Sequence, residues 1–114
     1  MIRQTSFDIL KYLHHGHLEK VYENALVRRL TKMELKVEHQ YPLQVKDQDG
    51  TVIGDYIADL FIKDILIIKI KACKTIADEH IAQILGYLRA SNIEHDLLIN
   101  FGSSKFQNKK YILN

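Results

Sequence analysis

Ile57-Ala58-Asp59-Leu60-Phe61-Ile62-Lys63-Asp64-Ile65-Leu66-Ile67-Ile68-Lys69-Ile70-Lys71 reads as two apolar strands joined by a tight turn at Lys63-Asp64. Side chains two apart on a strand share a face. The spacing therefore groups Asp59 with Ile57 and Phe61, and Lys69 and Lys71 with Ile65 and Ile67. Paired as a hairpin, these strands set a carboxylate beside two ammonium groups inside an apolar sheet. Charge is costly there unless it is paired or bound to a ligand, which makes this cluster a candidate functional site.

Residues 35–45 and 52–62 have strand patterning and flank Asp47-Gln48-Asp49-Gly50, whose Asp-Gly pair marks a hairpin. Pro42 falls within the first of these strands and marks it as an edge. Residues 65–72, apolar on both faces up to the lysines, read as a central strand. Towards the N-terminus, Phe7, Ile9, Leu10 and Leu13 set a helical spacing over residues 4–14 that Gly16 breaks. Leu18, Val21, Tyr22, Ala25, Leu26 and Leu30 then form the i, i+3, i+4, i+7 stripe of a second helix. Downstream, Ile81, Ile84, Leu85 and Leu88 return to helical spacing over residues 77–90. A short buried strand over residues 96–101 stops at Gly102, and residues 111–113 read as a last edge strand. The order predicts an antiparallel meander of three strands, a helical crossover and a parallel fourth strand. The expected fold is α/β, a mixed sheet flanked by helices in one domain spanning residues 1–114.

Composition excludes little. The 114 residues are 46% hydrophobic and 26% charged, ordinary for a globular chain. A net charge of +2 does not announce a nucleic-acid binder, and the clusters at Arg28-Arg29 and residues 105–110 read, taken alone, as solvated faces. The single cysteine, Cys73, excludes an intrachain disulfide and reads as a small core residue rather than a nucleophile. No signal-peptide apolar region opens the sequence, and the longest apolar run, residues 65–68, is far too short to span a bilayer. A cytoplasmic protein is expected. The run His14-His15-Gly16-His17 suggests zinc, but a closed zinc site needs four ligands and the lone cysteine is distant; three surface histidines in a loop are expected instead.

Two further groupings are weak in isolation. Glu19, Tyr22 and Glu23 neighbour one another on the second helix, where Glu19 also suits the positive end of the helix dipole. His80, Gln83 and Tyr87 form one polar stripe on the late helix.

Together the pieces are specific. Gly16-His17-Leu18-Glu19-Lys20-Val21-Tyr22 is a G-x-x-E-x-x-Y signature continued by Glu23-Asn24-Ala25-Leu26. It is followed in order by Tyr56-Ile57-Ala58-Asp59-Leu60, Lys69-Ile70-Lys71-Ala72, the run from His80 through Gln83 to Tyr87 and Leu88, and Leu97-Leu98-Ile99-Asn100-Phe101-Gly102. Over nearly its whole length the chain resembles the GxxExxY protein family, a small bacterial branch of the PD-(D/E)XK nuclease superfamily. The resemblance implies a restriction-endonuclease-like core that hydrolyses phosphodiesters of nucleic acid with Mg2+ or Mn2+; DNA is the expected partner ahead of RNA. It implies Glu19 and Asp59 as metal ligands, with the Ile70 main-chain carbonyl as another. Lys71 would orient the attacking water or stabilise phosphate charge, and Gln83 and Tyr87 would flank the path of the strand. A metal held by a few carboxylates and waters supplies both the nucleophile and the charge neutralisation that such hydrolysis needs.

The sequence departs from the family at one point. Lys69 stands where the E-x-K glutamate belongs. A protonated ammonium has no lone pair and cannot ligate; it repels a cation and pairs with Asp59 or Glu19 instead. The expectation is a nuclease-like protein with impaired or lost metal-dependent cleavage. Two alternatives stand beside residual hydrolysis: a catalytically dead nucleic-acid-binding module using Lys69, Lys71 and Arg28, and an interaction protein, for example a homodimer, in which the old site is a salt-bridge cluster.

Overall fold

The structure is a computed structural model that describes residues 1–63, 66–91, 95–103 and 105–112, with the side chains of residues 87, 90 and 91 outside the description. The elements run α1 (Ile2–Leu13), α2 (Glu19–Lys32), β1 (Val37–Lys46), β2 (Val52–Ile62), β3 (Leu66–Lys71), α3 (Asp78–Ser91), β4 (His95–Asn100) and β5 (Gln107–Ile112). The strands form one sheet in the order β1-β2-β3-β4-β5. β1, β2 and β3 are an antiparallel meander, β4 joins β3 in parallel across α3, and β5 returns antiparallel on β4. This is the mixed α/β sheet expected, with one difference. The last edge strand covers six residues from Gln107 and does not begin at Tyr111 as expected. Its polar composition, Gln-Asn-Lys-Lys, hid it, because an edge strand needs to bury little. Residues 64, 65 and 113, part of the expected turn and strand ends, lie outside the described residues.

α1 and α2 cover one face, where Ile9, Tyr22, Leu26 and Leu30 pack on Leu60, Ile68, Ile70, Leu97, Ile99 and Phe101. α3 contacts β1, β4 and β5 and buries Ile84 and Leu88. A second cluster is formed by Leu43, Ala58 and Ile67, with Tyr41 and Phe61 packed on it. β3 is buried on both sides, Ile67 in the second cluster and Ile68 and Ile70 in the first, as a central strand should be. The hairpin at Asp47 to Gly50 forms as predicted: Gly50 takes φ 87 and its N–H donates to the Asp47 carbonyl at 3.0 Å.

The expected alternation along β2 does not hold at Asp59. Leu60 packs with the first cluster while both Phe61 and Ala58 pack with the second, which two-residue periodicity forbids. The irregularity is shared by the partner strand. Gln40 has φ 57 and is the position passed over between His39↔Leu60 and Tyr41↔Ala58. Consecutive side chains His39 and Gln40 consequently both reach Glu23 on α2. Asp59 is thereby released from a simple share of the Phe61 face. Among the described residues the β2–β3 ladder closes only Leu60↔Ile68, Phe61↔Ile67 and Ile62↔Leu66, and from Leu60 back along β2 the strands part.

Candidate functional site

The parted strands make the site. Asp59 reaches across the gap, and its Oδ2 accepts the Ile70 N–H at 2.6 Å, a side chain replacing the next ladder bond. The Lys69 Nζ lies 3.6 Å from the same oxygen, with both side chains mostly buried. Burial raises the Asp59 carboxyl above its usual range; the Ile70 amide and Lys69 oppose this, while the nearby carboxylates of Glu23 and Glu19 add to it. Two acids on α2 thus act on the acid of β2, although they are far apart in sequence.

The G-x-x-E-x-x-Y segment places Glu19. Gly16 takes φ 104, a conformation that L side chains rarely adopt, and lets the chain turn between α1 and α2. Tyr22 then pins this loop: it is fully buried, its hydroxyl donates to the His14 carbonyl at 2.6 Å and accepts the His17 N–H at 3.2 Å. Its ring stacks on Phe101 at 4.6 Å with planes 2° apart. Glu19 opens α2 and remains exposed at the loop's end. The three loop histidines are exposed, as expected; His15 and His17 each direct a ring nitrogen at a main-chain carbonyl, of Phe101 and Leu13 respectively.

Glu23, a minor member of the sequence reading, is almost wholly buried. It accepts from Lys20 at 2.9 Å and Gln40 at 2.9 Å and meets His39 Nε2. Burial alone would raise its carboxyl, but the hydrogen bonds from Lys20, His39 and Gln40 outweigh burial and hold it below the ordinary value. Glu23 is therefore a satisfied anion.

Asp96 was not singled out by sequence. It is the second residue of β4, is 0% exposed, and stands beside Ile67 in the β3–β4 register, on the face that carries Lys69. Neither carboxylate oxygen has a hydrogen-bond partner among the described residues, and the same holds for the buried hydroxyl of Tyr111, its neighbour on β5. Burial pushes the Asp96 carboxyl up to about 8, with Lys69 opposing and Asp59 reinforcing the rise. Lys69 is thus felt by two carboxylates, one on each neighbouring strand. The signal in the sequence was an acid at the head of the apolar run Leu97-Leu98-Ile99, in a strand that must be buried on both faces.

The other expected site residues are placed less closely. Lys71 is half-buried at the end of β3, and its ammonium forms no hydrogen bond or ion pair among the described residues. Its carbonyl accepts the Phe101 N–H at 2.8 Å. Asn100 fixes the chain just beyond it, accepting from the Cys73 and Gly102 amides and donating to the Cys73 carbonyl and Gln107. Gly102 is required there because a Cβ would collide with the backbone of Ala72 and Cys73. Cys73 itself is half-buried in this loop rather than in the core. Gln83 is exposed on α3, and the Tyr87 side chain lies outside the described residues. Among the described helices none is long and apolar enough to cross a membrane.

A family model described as the PD-(D/E)XK nuclease superfamily matches residues 1–112. No curated protein matches the chain. A solved structure titled "Crystal structure of SSO0001" superposes with a TM-score of 0.66 at 17% identity over 83% of this chain; the chain spans about half (52%) of that protein's length. At this identity the likeness is one of fold.

Nucleases of this superfamily usually use Mg2+ or Mn2+. The side chains present here do not fit such an ion. Asp59 Oδ2 is already shared by an amide and an ammonium, and the position expected to supply a second carboxylate on β3 supplies that ammonium. Among the described residues no group of three or more His, Cys, Asp or Glu side chains is placed to hold a metal.

Proposed function

The chain belongs to the PD-(D/E)XK nuclease superfamily, and from that premise we propose that it engages nucleic-acid phosphates through a site in which the Lys69 ammonium replaces the metal, leaving metal-dependent hydrolysis impaired or absent. The observation that carries this reading is the Lys69–Asp59 contact of 3.6 Å on the oxygen that also accepts the Ile70 amide. A cation at this place neutralises Asp59 as a metal would, but it has no open coordination position and cannot deliver a water-derived nucleophile. It can neutralise phosphate, and the Lys71 ammonium, without an ion-pair partner among the described residues, is the second such group on β3. The G-x-x-E-x-x-Y segment, whose glycine and tyrosine have clear structural work in the α1–α2 loop, supports placing the chain in the GxxExxY branch. DNA is the preferred partner in this reading, with Gln83 and Tyr87 of α3 beside the path of the strand and Glu19, Asp59 and the Ile70 carbonyl marking the vestigial metal position.

Paired binding and cleavage assays test this. The unmodified chain should retain DNA in a salt-dependent manner and give no products with Mg2+ or Mn2+, and Lys69→Ala and Lys71→Ala should each weaken binding. Cleavage by the unmodified chain that Asp59→Ala abolishes would overturn the reading. Salt-independent binding, or none, would favour the interaction-protein alternative.

A further inference from the structure

Away from Asp59 and Lys69, a second feature of nucleic-acid character lies between the β1–β2 hairpin and α3. A cavity of about 420 Å3, within the usual range of ligand sites, is lined by Gln44, Val45, Lys46, Tyr56, Gly86 and Arg89. Three independent features of the chain build it. The register of β1 on β2 shifts between Val45 and Lys46, a bulge of the kind that re-aims a side chain. Gly86 presents no side chain on the helix, and α3 passes close beside Tyr56 there: a Cβ would stand 3.9 Å from the Tyr56 ring and hydroxyl, an ordinary van der Waals contact. Lys46 and Arg89, from β1 and α3, are both exposed, and neither forms an ion pair among the described residues. Tyr56 is 37% exposed.

Two cations flanking an exposed aromatic ring match the chemistry of an unpaired nucleotide, a π-face between two phosphates. Arg also suits phosphate through its planar fork of donors. We infer that this groove is a subsite for a single-stranded segment of nucleic acid, one base lying against Tyr56 and the flanking phosphates on Lys46 and Arg89. The inference rests on the nucleic-acid reading of the Lys69 site and extends it. Tyr56 is three residues before Asp59 on the same strand, about 10 Å at roughly 3.3 Å per residue, so one strand reaches both places. An unpaired segment is favoured over a duplex because a stacked base in a duplex does not expose its face to a side chain.

Fluorescence anisotropy with labelled single-stranded DNA and RNA and with duplex DNA, each over a salt series, tests it. Lys46→Ala/Arg89→Ala should lower the slope of log Kd against log salt by about 1.4, about 0.7 for each single-strand phosphate no longer neutralised. Tyr56→Ala should weaken single-strand binding by about fivefold to a hundredfold, the range of one stacked base. Gly86→Glu sets a carboxylate at the groove and should also weaken binding; because it replaces a helical glycine by a better helix former, an unchanged or higher melting temperature separates blocked binding from unfolding. Single-strand affinity and slope unchanged in all three variants, while Lys69→Ala still weakens binding, overturns the groove and leaves the Lys69 reading standing. An unmodified chain that binds no nucleic acid overturns both. Retention of duplex alone, indifferent to Tyr56→Ala, overturns the groove.

Discussion

Lys69 and Asp59 share a single carboxylate oxygen with a main-chain amide: the ammonium lies 3.6 Å from Asp59 Oδ2, which accepts the Ile70 N–H at 2.6 Å. The arrangement exists because β2 and β3 part after Leu60↔Ile68, leaving an amide without a ladder partner and a space where charges meet. A nuclease of this fold would fill that space with a metal. Here the Lys69 ammonium, a cation like the metal but without coordination positions, fills it, and Asp96 acts on it from the neighbouring strand.

Lys69→Glu should create metal affinity. Each unit of charge a few ångströms from an ion matters by about 4 kcal/mol at a partly screened dielectric, and about 1.4 kcal/mol is tenfold in affinity. In EDTA the variant should be less stable than the unmodified chain, because three acids then lack their counter-ion, and Mn2+ should restore the loss. Calorimetric titration and melting with and without Mn2+ check this, with Lys69→Glu/Lys71→Ala as the hydrolysis control. No Mn2+ binding by Lys69→Glu would mean that the acids are not arranged around one ion.

Asp96 should make the fold weaker as pH rises. Its folded value of about 8 lies well above the unfolded carboxyl value. Between about pH 4 and pH 8 the folded chain therefore holds a proton that the unfolded chain has lost, so stability falls across this window and the penalty is complete above it. Asp96→Asn keeps the shape without the charge. It should raise the melting temperature at pH 8 by at least about 4 °C and change it little at pH 4. Parallel pH profiles for the two proteins would show that Asp96 titrates normally.

Glu23 should act with the opposite sign. Its folded carboxyl sits below the ordinary value because of Lys20, His39 and Gln40, so its contribution is present above the unfolded value and is lost as pH falls through the lower folded one. Glu23→Gln should cost about 2 kcal/mol at pH 7, the scale of hydrogen bonds to a charged group, and much less near pH 3. Denaturant unfolding at the two pH values measures this; an equal cost at both would assign the effect to packing alone.

Tyr22→Phe should loosen the loop that presents Glu19. It removes the hydroxyl that bridges His14 and His17 while keeping the stack on Phe101. A loss of about 1 kcal/mol is expected, against about 3–5 kcal/mol for Tyr22→Ala, which also opens a cavity. Hydrogen exchange at the His17 amide should quicken in Tyr22→Phe. An unchanged exchange rate would show that the ring stack, rather than the hydroxyl, holds the loop.

The sequence by itself determined the meander, the crossover and the parallel fourth strand, because period-two and period-3.6 patterns and an Asp-Gly turn are local properties of the chain. It also marked Asp59, Lys69 and Lys71 as charges inside an apolar hairpin. Local patterning could not supply the irregularity at Gln40 and Asp59, because that depends on how two strands twist against α2, and it turned Asp59 across the β2–β3 gap instead of onto the face of Phe61. Nor could it reveal Asp96, whose importance comes from a parallel register set by the α3 crossover. Which charges compensate one another in a low-dielectric interior is decided by separations of a few ångströms between residues distant in sequence; only the tertiary structure sets those.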